Sequence, residues 1–97
     1  MLEPQPRPRQ PEGLTLVRAQ RLVGKPVLDP YGEEIGTIAS VGATDDDQPV
    51  FVVEYGGVFG LFEDRAYLTS ARVVTAYDDQ LVVDVTEDGL DGLPRAE

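Results

Sequence analysis

The chain of 97 residues contains neither cysteine nor histidine. Without cysteine it can form no disulfide and offers no thiolate, and without histidine it lacks Ser-His-Asp catalysis, Cys-His catalysis and histidine-based metal sites. Its one lysine, Lys25, precedes Pro26 in a predicted turn, which gives no sign of the desolvation that a Schiff-base lysine needs. The sequence therefore predicts that the protein is not an enzyme.

The sequence also lacks long apolar runs and the common cofactor motifs. No segment approaches the roughly 18 apolar residues of a membrane helix, and the N-terminal stretch has no apolar core for a signal peptide. Neither the dinucleotide fingerprint nor the P-loop pattern occurs. We therefore expect no cofactor, no membrane insertion and a cytoplasmic location, which the absence of cysteine permits.

Negative charge is plentiful and unevenly distributed. Residues 1–25 hold five basic and two acidic side chains, a balance of +3, whereas residues 26–94 hold fifteen acids against Arg65 and Arg72, a balance of −13. The last three residues cancel, so the total is −10. Because nucleic acids and anionic membranes are bound through cationic contacts, the folded part is not expected to bind nucleic acid directly.

One acidic run could collect a hard cation. Asp45, Asp46 and Asp47 supply carboxylates, but Pro49 stands where an EF-hand would place a further acid, and no glutamate closes the loop. A solvated loop and weak cation binding both remain open, and the sequence predicts no defined metal site.

Proline divides the chain into an arm and a domain. Pro4, Pro6, Pro8 and Pro11 interrupt residues 1–13, which we interpret as a flexible Pro/Arg-rich arm with a minimal P-x-x-P match. The arm is either a passive tail or a docking element. Residues 14–94 form the predicted domain, and residues 95–97 are a C-terminal tail.

The domain has the pattern of an all-β protein. Residues 50–55 form the strongest predicted strand, with Phe51, Val53 and Tyr55 on one face and Val50 and Val52 on the other. Turns are predicted at 29–32 and 78–80, and bulges or bends at Gly36 and Gly42. Residues 14–17 are predicted to be a short strand, and a short helical turn is expected after Thr86.

The segment that follows the strongest predicted strand, residues 56–62, is rich in both glycine and apolar residues. It either folds over the open end of a small barrel as a plug or forms an exposed contact patch, because water-exposed loops seldom carry so many large apolar side chains. Together with the second face of strand 50–55, it supplies the candidate interaction residues Val50, Val52, Val58, Phe59, Leu61 and Phe62.

Five features in this order resemble the PRC-barrel domain family, found in the photosynthetic reaction-centre H subunit and the ribosome maturation factor. They are Leu22-x-Gly24-x-x-Val27, Gly32-Glu33-x-Ile35-Gly36-x-Ile38, the apolar strand 50–55, Gly57-x-x-Gly60, and Val83-Asp84-Val85-Thr86 followed by Leu90 and Pro94. The resemblance spans residues 14–94. It implies a small antiparallel β-barrel of about six strands with a short C-terminal helical turn.

The resemblance further implies a protein-docking module without catalytic residues. The chain lacks the additional domain of the maturation factor and the membrane helix of the H subunit, so it is similar to a stand-alone member. Our first hypothesis is a self-associating docking module, a homodimer formed through an exposed strand edge or strand 50–55. The alternative is an accessory factor in RNA processing or ribosome assembly that acts through a protein partner.

Overall fold

The computed structural model describes residues 14–56 and 64–96. In these residues six strands and two short helices alternate with tight turns. Their bounds are α1 Leu16–Gln20, β1 Pro26–Leu28, β2 Glu34–Ala43, β3 Pro49–Tyr55, β4 Asp64–Thr69, a 3₁₀ turn Ser70–Arg72, β5 Val73–Ala76, β6 Leu81–Val83 and α2 Glu87–Leu90. The predicted arm, residues 1–13, lies outside the described residues.

The six strands form one sheet in the order β4-β3-β2-β1-β6-β5. All neighbours pair antiparallel except β1 and β6, which pair in parallel through Val27 with Leu81 and Leu28 with Val82. This architecture confirms the predicted all-β fold of about six strands with a short C-terminal helical turn. The parallel pair was not predicted.

The strand predicted for residues 14–17 is wrong, because these residues lead into helix α1. Thr15 occupies the N-cap, where its Oγ1 accepts from the Arg18 amide at 3.2 Å and its carbonyl accepts from the Ala19 amide at 2.8 Å. Helical spacing then places Ala19 and Leu22, three residues apart, in the core. The signal for the helix was the capping threonine, which the alternation of Leu14 and Leu16 concealed.

The core lies on one face of the sheet, and strand β3 is its centre. The burial of β3 alternates, so Phe51, Val53 and Tyr55 are buried while Val50 and Val52 are half-buried on the opposite face. The division of these residues between two faces confirms the prediction. The other buried apolar residues are Leu14, Ala19, Leu22, Val27, Ile35, Ile38, Ala66, Leu68, Val73, Leu81, Val83 and Leu90.

The turn between β1 and β2 has the predicted chemistry. Asp29 is buried, and its Oδ1 accepts from the amides of Tyr31 at 2.8 Å and Glu33 at 2.9 Å. Its carbonyl accepts from the Gly32 amide at 3.0 Å, and Gly32 has a φ of 86°, which a side chain would strain. The Asp29 carboxylate therefore takes the place of a backbone acceptor for these two amides, and it stabilises the turn in which the chain reverses direction.

Three other predicted details can be compared with the structure. The turn at 78–80 is confirmed, because the Tyr77 amide donates to the Gln80 carbonyl at 2.9 Å between β5 and β6. The bulge predicted at Gly36 is confirmed, because Val27 pairs with Gly36 but Leu28 pairs with Glu34, which leaves Ile35 as an extra residue in β2. A second irregularity lies between Ile38 and Ser40, whereas the pairing at Gly42 is regular, so the bulge predicted there is wrong. Thr86 does stand at the N-cap of α2, although its side chain makes no capping hydrogen bond.

Candidate functional site

The face of β2, β3 and β4 opposite the core brings the two described candidate residues together. The strand register aligns Val52 with Ser40 and Tyr67, and aligns Val50 with Gly42 and Thr69. We call the surface formed by Ser40, Val50, Val52, Tyr67 and Thr69 the outer face.

The outer face combines apolar side chains with small polar neighbours. Val50 and Val52 are half-buried, whereas the Tyr67 side chain is 42% exposed. Such a surface can make van der Waals contacts and a few hydrogen bonds. A mixture of apolar, aromatic and small polar groups is typical of surfaces that contact another macromolecule.

An ion pair closes the outer face at one end. Arg65 on β4 donates from Nη2 and Nε to the same Glu54 oxygen on β3, at 2.7 and 3.0 Å. Exposed pairs of this kind contribute little to stability. The pair therefore bounds the apolar surface and offers a polar rim to a partner.

Tyr67 was missed at the sequence level. Along β4 the buried Ala66 and Leu68 alternate with the exposed Arg65, Tyr67 and Thr69. That alternation was available in the sequence, but only the strand pairing shows that Tyr67 lies beside Val52.

The two edges of the sheet differ in how they are covered. On the outer side of β4 the Tyr67 amide donates to the Pro94 carbonyl at 2.8 Å, and the Ala96 amide donates to the Arg65 carbonyl at 3.0 Å. Strand β5 is four residues long and irregular between Val73 and Thr75. Short, bulged or covered edges resist pairing with other chains, so both edges disfavour edge-to-edge association.

A buried tyrosine links the end of β3 to helix α2. Tyr55 donates from its hydroxyl to Asp91 Oδ1 at 2.9 Å and contacts the Leu90 carbonyl oxygen at 3.4 Å. Burial, and next the hydrogen bond to Asp91, raise the pKa of Tyr55 above its usual value of 10.0. The folded protein therefore favours the neutral phenol.

Tyr55→Phe is expected to lower stability most below pH 10. The folded state holds the phenolic proton more tightly than the unfolded state, so this stabilisation is complete below the unfolded pKa and is lost as pH rises through the folded pKa. We expect a difference of about 1 kcal/mol in unfolding free energy near neutral pH, which shrinks above about pH 10. Urea unfolding of both proteins over a pH series measures it, and a difference that stays constant into the alkaline range would contradict the assignment.

The other four candidate residues, Val58, Phe59, Leu61 and Phe62, lie outside the described residues. Whether they plug the barrel or form a contact stays a prediction. The described chain on either side ends at Gly56, with a φ of 67°, and resumes at Asp64, whose Oδ1 accepts from Arg95 at 2.9 Å.

The aspartate run lies in the turn between β2 and β3. Thr44 Oγ1 accepts from the amides of Asp46 and Gln48 at 3.2 and 3.1 Å, so the turn is organised by a hydroxyl. Across residues 14–56 and 64–96 no three acidic side chains cluster closely enough to hold a metal ion. In the same residues no helix has the length and hydropathy needed to span a bilayer.

Comparison with known proteins places this geometry in a family. The sequence profile of the PRC-barrel domain matches residues 14–90. No curated protein matches the chain. Among solved structures, a candidate 16S ribosomal RNA processing protein of Pseudomonas aeruginosa, RimM, is similar with a TM-score of 0.53 and 24% sequence identity.

The similarity to RimM covers 70% of this chain and 43% of that one, so it shows a shared fold over less than half of the larger protein. The profile match, by contrast, spans most of the chain and agrees with the six-stranded sheet, its short helices and the sequence features that resembled this family. The chain therefore belongs to the PRC-barrel domain family.

Proposed function

We propose that the chain is a non-catalytic docking module that acts in the cytoplasm and binds protein through its outer face. The observation that carries the proposal is the pairing of Val52 with Tyr67, whose ring is exposed, beside Val50 on the same face of two paired strands. Aromatic residues are enriched in protein interfaces because a rigid ring buries a large area at a low entropic cost.

We further propose that one occupant of the outer face is a second copy of the chain. Covered or irregular strand edges disfavour association along the sheet. Among the described residues, the outer face then offers an apolar surface for a two-fold contact. In such a dimer the same residues of both copies would meet, so one substitution changes the interface twice.

Val52→Glu is expected to abolish this association because it places two buried carboxylates at the centre of the contact. Light scattering coupled to size exclusion, over a range of protein and salt concentrations, measures the mass. We expect a salt-insensitive dimer for the natural chain and a monomer for the variant, with unchanged far-ultraviolet circular dichroism.

Val23→Glu is the matched control, since Val23 is 46% exposed and lies away from the outer face, in the turn after α1. It adds the same charge and should leave the mass unchanged. A natural chain that stays monomeric at every concentration would remove self-association from the proposal. The outer face would then be tested by affinity capture from lysate, and capture that Val52→Glu leaves intact would remove the face as well.

A second candidate function is that of an accessory factor in RNA processing or ribosome assembly. It is favoured by the structural similarity to RimM, a candidate 16S ribosomal RNA processing protein. The balance of −13 over residues 26–94 opposes direct contact with RNA, so the chain would act on a protein component. Co-sedimentation with ribosomal subunits that persists after nuclease treatment would support it, and capture of RNA that survives high salt would contradict the protein-mediated version.

A further inference from the structure

A groove away from the outer face lies between helix α1 and the end of strand β5. Its volume is about 170 Å³, several times the roughly 30 Å³ that one water occupies, so it is large enough for a side chain. Leu14 and Leu22, each 2% exposed, supply its apolar floor. The other lining residues are Arg18, Arg21, Ala76, Tyr77 and Asp78.

The rim of the groove is cationic. Arg18 contacts the Ala76 carbonyl at 3.5 Å and the Asp78 carboxylate at 3.7 Å, and the Asp78 side chain is fully exposed, so this ion pair is weakly held. Arg21 forms no ion pair with any residue of 14–56 or 64–96. Arg21 therefore lies at the groove without an ion-pair partner in the described part of the chain, although Asp78 lines the same groove.

This local charge is opposite to that of the domain. Within residues 26–94 Arg65 and Arg72 each have an acidic partner, Glu54 and Asp84, and that region carries −13 overall. An acidic ligand is repelled by most of the surface and attracted at this groove. The contrast between the acidic surface and the two arginines at the groove therefore favours an acidic partner, and it favours binding at the groove over binding elsewhere.

We propose that the groove binds an acidic, extended segment of a partner protein. An apolar side chain of the segment enters between α1 and Tyr77, and an adjacent carboxylate pairs with Arg21 and Arg18. Arginine suits this role because its planar guanidinium can donate two parallel hydrogen bonds to one carboxylate. Tyr77, 50% exposed, supplies an aromatic wall for the apolar side chain.

Fluorescence anisotropy with a defined probe tests the proposal on the full chain. The probe is a fluorescein-labelled peptide of alternating leucine and glutamate, compared with one in which lysine replaces glutamate and one in which serine replaces leucine. We expect saturable binding of the first peptide only, weakened by added salt.

Charge reversal at matched positions locates the site. Arg21→Glu should weaken binding at least about tenfold, the loss expected for a charge-assisted hydrogen bond. Lys25→Glu makes the same change in net charge four residues away, but Lys25 does not line the groove, so binding should change little. Thermal unfolding of both variants verifies that they remain folded.

Several results would overturn the proposal. They are absence of saturable binding, equal loss in the two charge reversals, or equal binding of the serine peptide. Self-association that Arg21→Glu removes without peptide would assign the groove to a second copy. Tighter peptide binding after Glu3→Gln and Glu12→Gln would assign it to the chain's own N-terminal arm.

Discussion

Phe51→Ala is expected to lower the free energy of unfolding by about 3–5 kcal/mol, the range for removing a fully buried aromatic side chain. Phe51 has no exposed surface and is the largest of the fully buried side chains in the described residues. Phe51 is paired with Val41 on β2 and with Leu68 on β4. The cavity that alanine would leave at this position therefore cannot close unless the paired strands move. Domains of this size have about 5–15 kcal/mol in total, so the variant retains little stability.

Urea unfolding followed by circular dichroism measures this loss. Val50→Ala is the matched control, because it lies one residue away on the same strand but points to the half-buried outer face. Its expected cost is about 1 kcal/mol, the value of a few partly buried methyl and methylene groups. Equal losses in the two variants would contradict the assignment of the two faces of β3.

Gly36→Ala is expected to cost about 2–3 kcal/mol although it adds only one methyl group. A Cβ at position 36 would lie 2.6 Å from the Glu54 carbonyl oxygen and 2.8 Å from Val53 Cγ1. The first of these atoms belongs to the backbone of β3, so it can retreat only if the pairing of β2 with β3 is distorted. The requirement is one of space, since no side chain fits between these strands at this point.

Gly42→Ala provides the comparison within the same strand. A Cβ at position 42 would meet nothing within 4 Å, and the change is expected to alter stability by no more than about 0.5 kcal/mol. Denaturant unfolding of the two alanine variants side by side gives the answer. A loss at position 42 equal to that at position 36 would show that general strand propensity, and not the close approach of β3, sets the cost.

Local patterns in the sequence were sufficient for much of the fold. The alternation at 50–55 identified which residues share each face of β3, because side chains alternate along any extended strand. It did not identify which face is buried, since both faces are apolar. The spacing of aspartate, proline and glycine at 29–32 identified a turn, since each residue type meets a separate local requirement. These features depend on neighbours within a few positions of each other.

Features that depend on distant neighbours were not predictable from one sequence. Gly36 was interpreted as a bulge, and β2 does bulge beside it, but the requirement for glycine also comes from Glu54 and Val53 on another strand, which the sequence pattern did not show. The pairing of Arg95 with Ala66 joins the C-terminal segment to β4, and no local pattern in the sequence predicts this pairing. The same holds for the candidate sites, because Val52 was evident while Tyr67 beside it, and the groove formed by α1 and β5, required the fold.

The parallel pairing of β1 with β6 has a consequence for the order of folding. Strands β2, β3 and β4 are consecutive antiparallel neighbours and β5 pairs with β6 through a tight turn, so both units form from contacts close in sequence. Val27 must find Leu81, 54 positions later, and closing so long a loop carries an entropic cost before the contact forms. During synthesis from the N-terminus, β1 can pair with β2 early, but it cannot pair with β6 until residues 81–83 have been made.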